Sequence, residues 1–340
     1  MPIQPHEIPS AIIATTREII TTQAKQQLAL KSEVITQIEA GLGKTPQLSN
    51  SVCATLAQHQ DQEINRATIG MAQAVLIGRH LADTVKHQVS LGQSKDAAGR
   101  ETYSLGDTIS SLVINRLMRQ FFPSFGILDE ESGGYNLNAE RVFTIDPIDG
   151  SIAFTRGIDE AWAVGMSLFD RSAVSEESSG IVAAAIAMPQ AVPDQELLVG
   201  LVGSGCWNLA GQPQHVSQPS YVLNDVRRAV VSIGHKDMRS QVWDRGISTM
   251  ATHAQRLYAG IDIQHAGALT ARGQLDVLIR AKQLIYDLAP VIGVVEAAGG
   301  KCMDFTGNTP KIILDLKTEQ HFVAWNGDKK LKHYILECVS

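Results

Sequence analysis

The chain has 340 residues, of which 44% are hydrophobic and 19% charged, and its formal net charge is −6. This length allows one large domain or two ordinary ones with a substantial core, and the charge and the absence of a basic stripe argue against a nucleic-acid partner. The four cysteines lack metal-ligand spacing and are expected to be reduced thiols. The first residues contain no basic region followed by an apolar segment, and no long apolar run occurs, so we expect no membrane association and a cytoplasmic location.

Helical periodicity dominates the first third of the chain. Apolar residues at helical spacing predict a helix over residues 10–40 and a second one, continuous or broken, over residues 52–89. Residues 92–106 are polar and contain glycine, which indicates a mobile loop or a hairpin. A third helical pattern runs from Asp107 to Phe122 and ends before Pro123.

Strand patterns are frequent in the rest of the chain. Strands are predicted at 126–129, 142–145, 162–169, 181–188, 197–202, 229–233 and 275–279, and helices at 241–254 and 288–298. This mixture indicates a layered α/β fold. We predict a helical extension over residues 1–60, an α+β half over residues 61–170 and an α/β half over residues 171–340.

The most informative segment is DPIDGS, which begins at Asp146 and follows a β-branched, apolar stretch. Pro147 fixes its own φ and Gly150 tolerates unusual backbone conformations, so a tight turn is expected here. Ser151 would begin a short helix whose free amide groups lie near Asp146 and Asp149. A divalent cation on the carboxylates and an anion on the helix N-terminus would satisfy all of these groups. The alternative is an ordinary turn, in which Asp-Pro and Asp-Gly are common.

Three further acidic residues are candidates for the same site. Glu130 follows a predicted strand, Asp287 begins an apolar helix, and Asp107 begins an earlier helix. Each residue also has an ordinary explanation, because Asp107 and Asp287 could simply cap their helices and Glu130 could be solvated beside Glu131.

Two long segments carry a family resemblance. The segments are FTIDPIDGSIAFTR, from Phe143 to Arg156, and YDLAPVIGVVEAAGG, from Tyr286 to Gly300. Together with a predicted hairpin at 203–208, they resemble, in the same order, the signatures of the inositol monophosphatase family, which comprises Mg²⁺-dependent, lithium-sensitive phosphatases related to fructose-1,6-bisphosphatase. The resemblance covers about residues 95–325 and implies a five-layer αβαβα sandwich, the sugar-phosphatase fold. Pro290 stands where the family usually has a small residue.

The resemblance also implies roles for individual residues. The ligands of one Mg²⁺ would be Glu130, Asp146 and the carbonyl group of Ile148, and those of a second would be Asp146, Asp149 and Asp287. A third, weaker ion would bind Asp107. Asp107, Ser151 and Glu130 are the catalytic candidates, and the Asp107–Ser151 pair would help to deprotonate the attacking water. The backbone amide groups of Gly150 and Ser151 would hold the phosphate.

An all-oxygen ligand set favours Mg²⁺, with Mn²⁺ as the alternative, over zinc. We therefore expect two or three Mg²⁺ ions per site, a small phosphorylated metabolite as substrate, and a homodimer. The N-terminal extension could mediate dimer contacts, cover the cleft or pack on the first domain.

The substrate is less defined by the sequence than the reaction. Arg280 stands where family members often carry a glutamate that contacts inositol, and Ala153 stands where they often have asparagine. Arg280 and Lys95 are candidate substrate contacts, although Arg280 could also be a plain surface residue. The resemblance implies hydrolysis of a polyol, sugar or amino-alcohol phosphate, of the inositol-phosphate or histidinol-phosphate type. The alternatives are a 3′(2′),5′-bisphosphate nucleotidase, a fructose-1,6-bisphosphatase-like enzyme, and a non-catalytic protein that binds metal and phosphate.

Overall fold

A computed structural model describes residues 4–24, 28, 30, 32–57, 60–86, 104–158, 161–189, 193–217, 229–234, 250, 252–259 and 261–339. The helices are α1 (Ile8–Ile19), α2 (Ser32–Leu42), α3 (Asn50–Leu56), α4 (Gln62–Val85), α5 (Leu105–Phe121), α6 (Ser151–Thr155), α7 (Ile263–Ala271), α8 (Ile285–Ala297) and α9 (Lys329–Val339). The strands are β1 (Gly126–Asp129), β2 (Gly133–Tyr135), β3 (Arg141–Asp149), β4 (Ala163–Asp170), β5 (Ile181–Ala187), β6 (Leu197–Leu201), β7 (Gly205–Asn208), β8 (Pro213–Gln214), β9 (Val230–Ile233), β10 (Arg256–Ala259), β11 (Val277–Gln283), β12 (Lys301–Met303) and β13 (Gln320–Trp325).

The strands form two sheets. The larger sheet has the order β2-β1-β3-β4-β5-β6-β7-β8, and the smaller one has the order β10-β9-β11-β13-β12. Strands β1 and β3 pair in parallel, whereas β3 and β4 pair antiparallel. Because β1 and β3 run in the same direction, their carboxyl ends lie at one edge of the sheet, and this edge carries the candidate site.

Helices and sheets alternate in five layers. Buried side chains of α1 to α5 form one hydrophobic core with one face of the larger sheet. A second core joins α7 and α8 to both sheets, and a third joins α9 to the far face of the smaller sheet. The predicted αβαβα sandwich is thus confirmed.

The N-terminal helices belong to the first core. Ile12 and Ile38 are completely buried in it, as is Leu56. Gly70 on α4 permits this close packing, because a Cβ atom there would lie 2.8 Å from the ring of Phe122 and 3.6 Å from Ile12. The segment therefore packs on the first domain. The domain boundaries predicted at residues 60 and 170 stay predictions. Strands β4 and β5, on either side of residue 170, are neighbours in the larger sheet.

Two predicted helices are divided. The continuous helix predicted over residues 10–40 is wrong, because α1 ends at Ile19 and passes into a π-helical turn over Ile20–Ala24. Here the hydroxyl groups of Thr21 and Thr22 donate to the carbonyl groups of Arg17 and Glu18 at 2.9 and 2.6 Å, and such local bonds compete with a regular helix.

The second predicted helix is broken, as the sequence allowed. It consists of α3 and α4, and the side chain of Asp61 caps α4 by accepting from the amide groups of Glu63 and Ile64 at 2.8 and 3.1 Å. Most of the helix predicted at 241–254 lies outside the described residues, as does most of the loop predicted at 92–106.

Within the described ranges, no helix has both the length and the apolar character needed to cross a membrane. All four cysteines fall within these ranges, and each is buried with a free thiol.

Candidate metal and phosphate site

The parallel pairing of β1 and β3 positions the first two acidic residues. Asp129 is opposite Ile145 in the register, so Glu130 follows β1 at the level where Asp146 continues β3. The amide group of Glu130 donates to the carbonyl group of Ile145 at 3.1 Å, which fixes this turn against β3. Asp146 is 1% exposed, whereas Glu130 is half-buried.

Asp129 anchors the turn that carries Glu130. Its completely buried carboxylate accepts hydrogen bonds from the side chains of Ser111 and Asn115 on α5, at 3.0 and 2.6 Å. It also accepts from the amide groups of Glu131 and Ser132, at 2.8 and 2.7 Å. Burial raises the pKa of Asp129 despite these donors. Asp129 was not a predicted site residue, and its role here is to hold the turn against α5.

Strand β3 continues further than the sequence predicted. The predicted strand ended at Ile145 before a tight turn, but β3 extends to Asp149. The register shifts between Asp146, opposite Gly165, and Asp149, opposite Ala163, so the chain bulges at Pro147. A bulge accommodates a proline because that residue has no amide hydrogen for the ladder. The chain turns at Gly150, the residue after the end of β3, whose φ is +90°.

Asp107 on α5 and Ser151 at the start of α6 come together although they are far apart in the chain. Asp107 is completely buried in the first turn of α5, where its Oδ2 accepts from the amide and hydroxyl groups of Ser104. The hydroxyl group of Ser151 at the start of α6 lies 3.3 Å from Asp107 Oδ1 and 3.3 Å from the carbonyl oxygen of Ile148. The pairing expected between Asp107 and Ser151 is therefore present as a hydrogen-bond geometry.

Asp287 completes a cluster of carboxylates. It lies in the first turn of α8, where its Oδ2 accepts from the amide group of Leu284 at 3.2 Å. One carboxylate oxygen from each of Asp146, Asp149 and Asp287 lies within 4.8 Å of the others. Burial raises the pKa of Asp149 well above its ordinary value, and the charges of Asp262 and Asp287 raise it further.

Gln264 holds two of these aspartates and was missed by the sequence analysis. Its backbone amide group donates to Asp149 Oδ2 at 2.6 Å, and its side-chain Nε2 donates to Asp146 Oδ2 at 2.8 Å. The side chain is completely buried and packs against Gly165, where an added Cβ atom would overlap it. Sequence alone offers no spacing signal for a lone glutamine in the apolar helix α7.

Gln264 also relates to Pro290, the departure from the family pattern. Pro290 lies inside α8 and has no amide hydrogen, so it cannot bond the carbonyl group of Tyr286 four residues earlier. Gln264 Nε2 lies 3.4 Å from that carbonyl oxygen and supplies a donor instead. One buried side chain thus connects the start of α8 to Asp146.

Of the two candidate substrate contacts, Arg280 and Lys95, the structure describes only Arg280. Arg280 is 2% exposed, so it is not a surface residue. Its guanidinium group donates to the carbonyl group of Ile261 at 2.8 Å and to the hydroxyl group of Ser232 at 3.1 Å. Lys95 lies outside the described residues.

The donor set fits a hard divalent cation. The clustered ligand atoms are all oxygens, which suits Mg²⁺ or Mn²⁺. Glu130 lies beside this cluster, since its backbone amide group bonds to the carbonyl group of Ile145, the residue before Asp146. Burial, and then the charges of Asp287, Glu130 and Asp146, raises the pKa of Tyr286. A bound cation would relieve the repulsion that these carboxylates exert on each other.

The two sheets and their helix layers have the architecture of the layered sugar-phosphatase class. A family model described as "Inositol monophosphatase family" matches residues 61–339, and the chain belongs to this family. It is accordingly a phosphoric monoester hydrolase of a metal-dependent family.

Two curated proteins are similar in sequence. The "Nus factor SuhB" of Xylella fastidiosa is 25% identical over 249 residues, which cover 68% of this chain and 79% of that protein. The "3′-phosphoadenosine 5′-phosphate phosphatase" of Mycobacterium leprae is 27% identical over 148 residues, which cover 39% of this chain and 55% of that protein.

Solved structures share the fold. The extragenic suppressor protein suhB of Bartonella henselae superposes with a TM-score of 0.66 at 20% identity, over 79% of this chain and 96% of that one. The IMPase of Thermotoga maritima gives a TM-score of 0.63 at 19% identity, over 82% and 98% of the two chains.

Proposed function

We propose that this phosphatase hydrolyses a small polyol, sugar or amino-alcohol monophosphate in a Mg²⁺-dependent reaction. The observation that carries the proposal is the convergence of Asp146, Asp149 and Asp287 beside the Asp107–Ser151 pair. In such a site, acidic ligands and a hydroxyl group with a carboxylate partner lie next to a turn that can bind an anion.

The proposed ligands are those that the family resemblance implies, and the clustering of Asp146, Asp149 and Asp287 supports them. Glu130, Asp146 and the carbonyl group of Ile148 would hold one ion, and Asp146, Asp149 and Asp287 a second, while Asp107 would bind a third. Mg²⁺, or Mn²⁺ in its place, would neutralise phosphate charge and lower the pKa of bound water.

The protein groups would then orient and move a proton. Asp107 Oδ1 and the carbonyl oxygen of Ile148 both lie 3.3 Å from the Ser151 hydroxyl group. With the hydroxyl hydrogen donated to Asp107, the Ser151 oxygen would keep a lone pair for a hydrogen of the attacking water. Glu130, on the turn after β1, would orient that water as well. The amide groups of Gly150 and Ser151, at the turn before α6, would bind the phosphate oxygens. These interactions align water and phosphate before reaction.

A phosphate-release assay with and without Mg²⁺ tests the proposal. The panel comprises histidinol phosphate, inositol phosphates, fructose-1,6-bisphosphate and 3′-phosphoadenosine 5′-phosphate. We expect Mg²⁺-dependent release from at least one of the first two and none with Asp146→Asn. No release by the wild-type protein from any monoester would contradict the proposal and favour a protein that only binds metal and phosphate.

The nucleotidase alternative has one specific observation in its favour, the similarity to the Mycobacterium leprae phosphatase. Preferential hydrolysis of 3′-phosphoadenosine 5′-phosphate in the same panel would establish it. We further propose a homodimer in the cytoplasm, without nucleic-acid or membrane partners. Sedimentation of the purified chain at several concentrations tests the dimer, and fractionation of cells tests the location.

A further inference from the structure

Arg280 connects the two chain segments that lead to the carboxylate cluster. It lies on β11, seven residues before Asp287. Its Nη2 donates to the carbonyl group of Ile261 at 2.8 Å, and Ile261 lies three residues before Gln264. Gln264 in turn bonds two aspartates of the cluster. One guanidinium group therefore joins the strand that leads to Asp287 to the segment that orients the other two ligands.

Three acceptors hold the guanidinium group in a fixed place. Besides its bond to Ile261, Nη2 donates to the hydroxyl group of Ser232 on β9 at 3.1 Å, and Nη1 donates to the carbonyl group of Ile279 at 2.8 Å. Ser232 is completely buried, as is Arg280 apart from 2% of its surface. Arg280 thus links β9, β11 and the start of α7 within the interior of the protein.

A charged side chain at this position needs an electrostatic reason. Leu278, two residues earlier on the same face of β11, is completely buried in the core that contains α7 and α8. An apolar residue would suit this face, whereas a buried guanidinium group loses its hydration and requires compensation. Its neutral acceptors satisfy its hydrogens but do not offset its charge. Burial and two neighbouring carboxylates raise the pKa of Asp149, and the charge of Arg280 acts against them.

Metal affinity depends on groups that hold the ligands at the right spacing before the ion binds. We propose that Arg280 is a positioning residue for the metal ligands, which fixes the segment before α7 relative to the start of α8 and so keeps Asp149 and Asp287 at the spacing that a divalent cation requires. This inference rests on the metal site of the proposed function and deepens it. The alternative from the sequence is direct contact between Arg280 and the substrate.

The test measures Mn²⁺ binding directly, by electron paramagnetic resonance of the free ion, and needs no turnover. Arg280→Lys keeps the charge but replaces the planar fork with one nitrogen, and Arg280→Met removes both. We expect the Mn²⁺ dissociation constant to rise about 10-fold in Arg280→Lys and about 100-fold in Arg280→Met. Wild-type or tighter affinity in either folded variant would overturn the inference.

Two control variants accompany these measurements. Arg79→Lys is the matched one, because Arg79 is also a buried arginine and its carboxylate partner, Glu196, is not a proposed ligand. Glu33→Gln, which alters an exposed carboxylate of α2, controls for a change of charge alone. Both should keep the wild-type Mn²⁺ affinity. A loss in Arg79→Lys equal to that in Arg280→Lys would show a general effect of destabilisation and overturn the inference.

Ser232→Ala is a milder variant, which removes one acceptor of Arg280 and keeps the arginine. It should raise the Mn²⁺ dissociation constant about threefold, as expected for one hydrogen bond. If neither Arg280 variant folds, wild-type affinity in Ser232→Ala would overturn the inference.

Substrate kinetics separate positioning from direct contact. At saturating Mg²⁺, the KM of Arg280→Lys for the best monoester should stay within about twofold of the wild-type value, while the Mg²⁺ requirement rises. A substrate contact would instead raise KM at every Mg²⁺ concentration, and that result would overturn the inference. A wild-type protein that binds Mn²⁺ but releases no phosphate from any monoester would remove the proposed function, and the Mn²⁺ comparison would still decide the role of Arg280.

Discussion

The backbone amide group of Gln264 donates a hydrogen bond to Asp149 Oδ2 at 2.6 Å, and so joins two residues 115 positions apart in the chain. The bond connects the start of α7 to the end of β3. Through its side chain, the same glutamine also donates to Asp146 at 2.8 Å. Two carboxylates of the cluster are therefore oriented by one residue that would not itself bind the metal.

Gln264→Leu removes the side-chain donor and keeps the backbone bond. Because groups that orient metal ligands contribute substantially to affinity, we expect the Mg²⁺ concentration for half-maximal activity to rise about 10- to 100-fold. A Mg²⁺ titration of phosphate release measures this shift.

Gln73→Leu is the matched control for this prediction, since Gln73 is also a completely buried glutamine but bonds to the backbone of Leu48 and Pro46 rather than to an aspartate. It should lower stability without changing the Mg²⁺ requirement. Equal Mg²⁺ requirements in the wild-type protein and Gln264→Leu would show that Gln264 has no orienting role.

Asp129→Ala tests the anchor of the Glu130 turn. The substitution leaves the buried donors of Ser111 and Asn115, and two partly buried backbone amide groups, without their acceptor. Unsatisfied buried groups are costly, so we expect the free energy of unfolding to fall by about 2–5 kcal/mol. Urea denaturation gives this quantity, and a loss below about 1 kcal/mol would contradict the described network.

Ile12→Ala tests the packing of the N-terminal segment. Ile12 is completely buried on α1, and its removal creates a cavity against α4 and Phe122. The expected loss is about 2–5 kcal/mol in the free energy of unfolding. Ile13, its half-buried neighbour, is the control position, and Ile13→Ala should cost less. Equal costs would mean that the segment does not pack as described.

Stability should depend on pH through His265. Burial, and then the charge of Arg272, lowers the pKa of His265 to about 4, below its ordinary value of about 6.5. Because the folded state binds this proton less tightly than the unfolded state, stability is full above about pH 6.5 and is lost as the pH falls toward 4. At pH 5 the loss should be about 2 kcal/mol.

Thermal unfolding at pH 7 and pH 5 checks this expectation. His265→Gln should reduce the difference between the two pH values, whereas the exposed His333→Gln should retain it. An identical pH response in the wild-type protein and His265→Gln would refute a neutral, buried His265.

The sequence predicted the two segments that carry the site better than it predicted their surroundings. The FTIDPIDGS and YDLAP segments identified Asp146 and Asp287 because each combines a local turn or helix start with a distinctive series of residues. The bulge at Pro147 was missed because a proline after a strand is equally consistent with a turn, and only the register with β4 distinguishes the two.

Residues that act through tertiary contacts had no comparable signal. Asp129, Glu130 and Glu131 form an acidic run, and only the packing of α5 determines that Asp129 faces the core. Gln264 lies in a short apolar helix, where it could serve as an ordinary core residue. Its position depends on β3, which is more than 100 residues earlier in the chain.

Phosphate release during a Mg²⁺ titration of the wild-type protein and Asp287→Asn tests the central claim most directly. With the best monoester of the panel, the wild-type rate should rise from near zero with added Mg²⁺, and Asp287→Asn should be at least about 100-fold slower at every concentration, with its fold intact by circular dichroism. Glu33→Gln should match the wild-type protein. A wild-type rate that persists in EDTA, or a folded Asp287→Asn protein with full activity, would contradict a metal-dependent phosphatase site at this cluster.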